Sequence, residues 1–339
     1  MSFQGWIAAW VAVLAVTMGS ESGRQAVALD RSGHESDVLW FERQPTDECW
    51  CGTGAAETWQ VTASALFLHR RRPAALDLIE DAIDGSSVLN ASDFHLGVQP
   101  GFEVSMTRRI RGPLAIEARY FGIDQWHAAV TQPTDQGSLL QVNFSAPFGF
   151  EAGTDIAASH RSKLHNVEVN GHYRWTDRWT WLAGFRYVEL DERLTAELIE
   201  ADEPFSFQTS TRNRLYGGQL GAQVLLWDAG GRLTVDADGR AGVFGNSAAQ
   251  HSRYDFGLVT ETDRGSTTPV SFLGEIGVSA GYRLSQRWSA QAGYRLMWIN
   301  QVALATDGVA ASDFLFGGGI DAGGATFYHG ATVGLQFVR

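Results

Sequence analysis

Three pairs of residues in this 339-residue chain have the types and spacing that acid–base chemistry uses: Asp93 with His95, Asp124 with His127, and His160 with His165. A histidine base needs an orienting partner within hydrogen-bond reach and a nucleophile or metal beside it. No Ser, Cys or HExxH signature accompanies these pairs. His160 and His165 also differ by an odd number, so on one strand they face opposite sides. Cys49 and Cys51 flank Trp50, a spacing too short for an unstrained disulfide and without the second half of a zinc pattern. The sequence therefore predicts no enzyme, no cofactor and no resident metal.

A second set of residues has a more informative spacing. Glu103, Glu117, Arg119, Glu168, Arg174, Arg186, Asp236, Asp238, Arg240, Glu275, Arg283 and Arg295 all fall on the polar side of segments that alternate apolar and polar residues. Six are acidic and six basic, which predicts a nearly neutral interior. An isolated buried ion costs several kcal/mol, so these groups must pair or stay hydrated. Their chemistry is that of a charged lumen, either a structural network or a lining for ions and small solutes.

The elements that position them are ten alternating segments: 57–69, 96–108, 114–124, 163–175, 179–190, 213–227, 232–244, 271–284, 288–300 and 326–338. Alternation over this length predicts strands with a different solvent on each face. A tilted strand crosses a bilayer in about 9 to 11 residues. The connections alternate long and short, which puts the short turns on one side of a sheet and the long loops on the other. The expected fold is all-β: a closed antiparallel transmembrane barrel of about ten strands with short periplasmic turns and long extracellular loops. A count of eight or twelve stays open, because 139–148 and 205–211 can extend or add strands. Closure removes the unpaired edges that hydrocarbon cannot satisfy.

The stretch HYRWTDRWTWLAGFRYVELDE from His172 has a second copy, GYRLSQRWSAQAGYRLMW from Gly281, at a constant offset. In the first copy Trp179, Trp181, Ala183, Phe185 and Tyr187 are expected to face lipid, with Thr180, Gly184 and Arg186 inward. Tyr173, Trp175, Trp179, Trp181, Tyr282 and Trp288 are expected to form an aromatic girdle at the headgroups. Hairpin geometry sets register: a turn near Arg111 and Gly112 places Glu103 opposite Arg119, and a turn at Asp177 places Glu168 opposite Arg186.

The apolar run from Gly5 to Met18, followed by Ala26-Val27-Ala28, predicts a signal peptide over 1–28. Residues 29–56 are then a periplasmic linker and 57–339 the barrel. Asp77, Glu80, Asp81 and Asp84, and Asp191, Glu192, Glu197, Glu200, Asp202 and Glu203, are expected on solvated loop tips, and Ala74–Ile83 as a short amphipathic helix. A formal net charge of -12 argues against nucleic acid as a partner. Ten strands give a narrow lumen, close to the size that side chains fill.

GFRYVELDE from Gly184, NRLYGGQLGAQ from Asn213, RAGVFGN from Arg240, YRLSQRWSAQAGYRLMWINQVALA from Tyr282 and FYHGATVGLQF from Phe327 resemble the beta-barrel porin family of planctomycetes. That family is itself similar to the Legionella-type major outer-membrane protein family. ALFLHR from Ala65 and LAIEARYFGID from Leu114 also fit. The resemblance implies an outer-membrane barrel with pore activity. Such barrels often end on an aromatic residue, whereas this chain ends Phe337-Val338-Arg339, so recognition by the barrel assembly machinery is expected to rest on Phe337. The expected function is a porin-like outer-membrane protein whose narrow, charge-lined lumen passes small solutes or ions. The alternative is a structural or surface-binding barrel without conductance. The expected partners are outer-membrane lipids and the assembly machinery.

Overall fold

The computed structural model describes residues 59–135, 138–144, 148–151, 155–199, 205–228, 232–257 and 259–339. The expected signal peptide, the linker, Cys49 and Cys51 lie outside the described residues.

Each of the ten alternating segments forms the heart of a strand of one sheet. The strands are β1 (Trp59–Arg70), β4 (Val98–Arg111), β5 (Leu114–Pro133), β8 (Asp155–Arg174), β9 (Trp179–Ile199), β10 (Phe205–Asp228), β11 (Leu233–Phe256), β13 (Val270–Arg283), β14 (Trp288–Val302) and β15 (Gly324–Val338). Neighbours in the sheet run β10, β9, β8, β5, β4, β1, β15, β14, β13, β11, and β11 pairs back with β10 to close the ring. Among the described residues, strand β12 (Val259–Thr267) pairs only with the upper part of β11, outside the ring. All pairings in the ring are antiparallel, and its first and last strands in chain order, β1 and β15, lie side by side.

Two of the short turns, β8–β9 and β13–β14, repeat one construction. Trp175 and Thr176 donate their backbone N–H groups to the Trp179 carbonyl at 2.9 and 3.2 Å, and Leu284 and Ser285 do the same to Trp288 at 2.9 and 3.0 Å. The hydroxyl oxygens of Thr176 and Ser285 accept from the backbone two and three residues on. These ST-turns explain why the sequence repeat includes Thr and Ser at matching places.

Register follows from the turns. Glu168 lies opposite Arg186, as expected. Glu103 does not lie opposite Arg119: it faces Phe121, and Arg119 faces Ser105. The cause is local. The β4–β5 turn is centred on Gly112–Pro113, beyond the expected Arg111–Gly112, with Gly112 at φ +55°, and a bulge between Arg109 and Arg111 moves the ladder only one position back toward the expected register.

Three further expectations are corrected. Strands β8 to β11 are 20 to 24 residues long, so much of the expected long loops is ladder. Near the short turns the outer wall is apolar, with Trp181, Phe185, Leu220 and Val243 exposed. Higher up the faces reverse: Arg161, Lys163, Arg193 and Arg212 point out, while Ile156, Leu194, Ala196 and Phe207 are buried inside. The upper barrel is thus built like a water-soluble one, and charges on the outward parity there imitate a loop in the sequence. Residues 205–211 accordingly extend β10 and add no strand.

The expected helix over Ala74–Ile83 is strand β2 (Asp77–Asp81). It joins β3 (Ser87–Asn90), β6 (Leu139–Val142) and β7 (Phe148–Glu151) in a separate four-stranded sheet. The described strand residues of segment 139–148, Leu139–Val142 and Phe148, belong to this sheet and not to the ring. Leu78, Ile79, Leu89, Phe94, Leu140 and Val142 from these loops share one core with Leu66, Leu68, Trp126, Leu190 and Leu194 of the wall. A helix, α1 (Asp307–Ala311), follows β14 and adds Val309 to the same core. Where the chain leaves β14, Gln301 takes φ +55° at a bulge between Asn300 and Val302. That conformation is uncommon for a residue with a side chain. It is held by Ser271 and Asn246, whose side chains donate to the Gln301 carbonyl at 2.7 and 3.0 Å.

Candidate functional site

Below this apolar plug a layer of charge crosses the lumen. Parity on seven strands aims Glu103, Glu117, Arg119, Glu168, Arg186, Arg240, Glu275 and Arg295 at one another, and their side chains are 0% to 13% exposed. Arg119 reaches Glu275 at 2.8 Å, Glu103 at 2.9 Å and Glu168 at 3.1 Å. Arg295 reaches Glu103 at 2.6 Å and Glu275 at 3.0 Å. Arg186 lies 2.9 Å from Glu275, and Arg240 lies 2.6 Å from Glu168. The shifted β4–β5 register is thus compatible with the Glu103–Arg119 contact, which forms diagonally.

Four carboxylates and four guanidinium groups make this layer formally neutral. Neutral polar side chains complete it. Asn166 accepts from Arg186 Nε at 2.6 Å and donates to Glu168 at 2.9 Å. Gln219 donates to Glu168 and to Asn170, both at 2.8 Å. His172 stands 3.2 Å from Glu117. Phe121 forms the roof: the guanidinium carbons of Arg119, Arg295 and Arg186 lie 5.2, 5.5 and 5.8 Å from its ring centre. Such cation–π contacts strengthen when desolvated. The ring therefore presents a compatible face to charge below and to leucines above.

The other four residues of the expected lumen set stand nearer the short turns. Arg174, Asp236, Asp238 and Arg283 are half-buried on the inward parity, and Asp238 reaches the layer at 3.7 Å from Arg240 Nε. They border the polar lower lumen with Gln291 and Gln336, whose side chains hydrogen-bond at 3.0 Å. All six expected girdle residues, Tyr173, Trp175, Trp179, Trp181, Tyr282 and Trp288, are exposed on the outer wall, between 41% and 62%.

Sequence reasoning missed a second ion cluster higher in the lumen. Glu192, expected on a solvated loop tip, is buried. It forms a salt bridge with Arg70 and lies 3.4 Å from His160 Nε2. Glu192 Oε2 also accepts the Ala305 backbone N–H at 3.0 Å, and Arg70 donates to Thr326 at 3.3 Å. This cluster ties the segment before α1 to the wall. Asn213 adds a two-point clasp, accepting from Ala303 N at 2.7 Å and donating to Ala303 O at 2.8 Å. Gln250 donates to the Gly308 carbonyl at 2.8 Å. Arg70 and Glu192 could have been found by continuing the inward parity of Leu66 and Leu68, and of Arg186 and Leu190, past the expected strand ends.

The acid–base pairs do not assemble as spaced in the sequence. His160 points inward and His165 outward, as their odd separation requires. Asp124 meets His165 at 3.5 Å, and the other ring nitrogen of His165 lies 3.0 Å from the Tyr120 hydroxyl. His95 Nδ1 lies 2.8 Å from the Asp93 carbonyl oxygen. Asp124 and His165 thus form a base beside a carboxylate, with the Tyr120 hydroxyl on the other ring nitrogen.

Among solved structures, the outer membrane protease OmpT from Escherichia coli is similar over 84% of this chain and 95% of its own, with 11% identity and a TM-score of 0.44. The toluene transporter TodX from P. putida is similar over 84% of this chain and 90% of its own, with 9% identity and a TM-score of 0.30. The anion-selective porin from Comamonas acidovorans is similar over 83% and 98%, with 10% identity and a TM-score of 0.20. Comparison with curated proteins gives no match. The family model described as Putative beta barrel porin-7 (BBP7) matches residues 128–312, more than half of the chain, and the chain belongs to that family of outer-membrane β-barrels.

Proposed function

We propose that this outer-membrane barrel is a gated porin, closed in the conformation described, which passes small ions or solutes when its plug and charge layer yield. The observation that carries the reading is the layer itself: eight paired ions across the lumen, between a polar lower lumen and a loop plug. Fully paired groups can sit in a narrow interior without the cost of a lone buried charge. Breaking one pair lets water enter and supplies a charged path. On this reading the chain performs no catalysis, and the Asp124–His165 contact is structural. The segments from Gly184 to Phe337 further suggest kinship with planctomycete porins and the Legionella-type proteins.

Planar-bilayer recording of the refolded protein tests conduction. Wild type is expected to stay mostly closed with brief small openings, and Arg295→Ala or Arg186→Ala to lengthen or enlarge them. Silence of all three at every voltage would remove conduction from the account. A barrel without conductance is the second reading, and the apolar plug favours it. Ile83, Leu315 and Phe316, 72% to 91% exposed in the loop segments, favour its surface-binding form.

A further inference from the structure

We propose that the short-turn end carries an arginine collar that binds the phosphate headgroups of anionic phospholipids in the periplasmic leaflet. Among the described residues, each of four short connections of the ring has an exposed arginine in it or at the strand end beside it: Arg111, Arg178, Arg232 and Arg287. Asp177 and Asp228 are the acidic residues of these connections and strand ends. Basic charge therefore dominates this rim, although the whole chain has a formal net charge of -12.

The flanking residues distinguish a membrane ligand from a soluble anion. Ile110 and Leu114 stand beside Arg111, Trp175 and Trp179 beside Arg178, and Leu284 and Trp288 beside Arg287, all with 41% to 62% of their surface exposed. Large exposed apolar groups on both sides place the Arg111, Arg178 and Arg287 side chains at the boundary between hydrocarbon and water, where lipid phosphates lie. Arg108 already occupies this level, with its guanidinium 4.8 Å from the ring centre of Trp59.

The choice of residue fits the ligand. A planar guanidinium offers a fork of donors that matches phosphate, which the compact lysine ammonium does not. In the matched ST-turns the Arg178 and Arg287 backbone N–H groups donate to Thr176 and Ser285 at 3.3 Å. Two of the four arginines are therefore presented by the same backbone geometry. A net excess of cations along a membrane surface attracts anionic lipid over distances of about a Debye length.

The test uses the full chain reconstituted in phosphatidylcholine vesicles containing spin-labelled phosphatidylglycerol or spin-labelled phosphatidylcholine, with electron paramagnetic resonance reading the lipid held at the protein surface. Wild type is expected to favour phosphatidylglycerol about threefold and to lose the preference in high salt. The variant Arg111→Gln/Arg178→Gln/Arg232→Gln/Arg287→Gln is expected to show none, while the four matching Arg→Lys changes restore part of it. Heat-modifiable electrophoresis establishes that each variant is folded. Should the quadruple variant misfold, Arg178→Gln/Arg287→Gln is expected to lose about half the preference. An unchanged preference in a folded Gln variant overturns the proposal. So does stronger competition by inorganic phosphate than by chloride at equal ionic strength, which would mark a site for a free anion.

Discussion

Glu168 lies within 3.7 Å of three guanidinium groups, those of Arg119, Arg186 and Arg240. Its removal leaves buried cations uncompensated, whereas Glu197 points outward on the upper wall. Glu168→Ala is expected to cost about 3–5 kcal/mol, and Glu197→Ala within about 0.5 kcal/mol, read as urea midpoints of the folded barrel. Equal midpoints would contradict the assigned faces. The Glu168–Arg186 pairing was legible in the sequence because a polar turn without a bulge joins β8 to β9. The Glu103–Arg119 register was not, because the β4–β5 turn is centred on Gly112–Pro113, beyond the Arg111–Gly112 that the apolar pattern indicates, and the Arg109–Arg111 bulge offsets only part of that difference. Asn166, Asn170 and Gln219 were overlooked for a different reason: neutral polar residues on an inward face are ordinary until the ions beside them are known.

At the scale of elements, the plug depends on a few side chains that grasp backbone. Glu192→Gln leaves Arg70 buried without its carboxylate, so amide exchange over 302–312 is expected to quicken about tenfold or more. Unchanged exchange would show that the apolar core alone holds the segment. Burial holds the Asp307 carboxyl in α1 above its ordinary pKa, and Glu192 and Asp321 add to the shift. A carboxyl raised in the folded state contributes stability below its unfolded pKa and loses that contribution as pH rises through the raised value. Protection of α1 should therefore fall as pH rises from the ordinary carboxylate range upward. Asp307→Asn should flatten that dependence and protect α1 at neutral pH. Exchange rates that rise on acidification instead would contradict the sign. The ten membrane strands could be read from sequence because lipid and lumen impose opposite faces. Their upper halves could not, since there the wall turns polar side out and charge becomes the mark of a strand exterior. The β2–β3–β6–β7 sheet was missed because its strands are only 4 or 5 residues long, too short for alternation to register.

At the scale of the molecule, three zones follow one another along the barrel: the collar and girdle at the short turns, the lipid-facing belt around the charge layer, and the polar-walled upper barrel around its plug. Their order depends on the apolar side of each lower strand facing acyl chains. Accessibility to a membrane-impermeant maleimide tests this most directly, with Cys49 and Cys51 replaced by Ser and single cysteines placed outward at Phe185 or Leu220 and inward at Thr180 or Gln291. In vesicles open to reagent on the short-turn side, the account predicts fast labelling of Thr180→Cys and Gln291→Cys and almost none of Phe185→Cys and Leu220→Cys. Equal labelling of the two sets, or faster labelling of the outward pair, would contradict it.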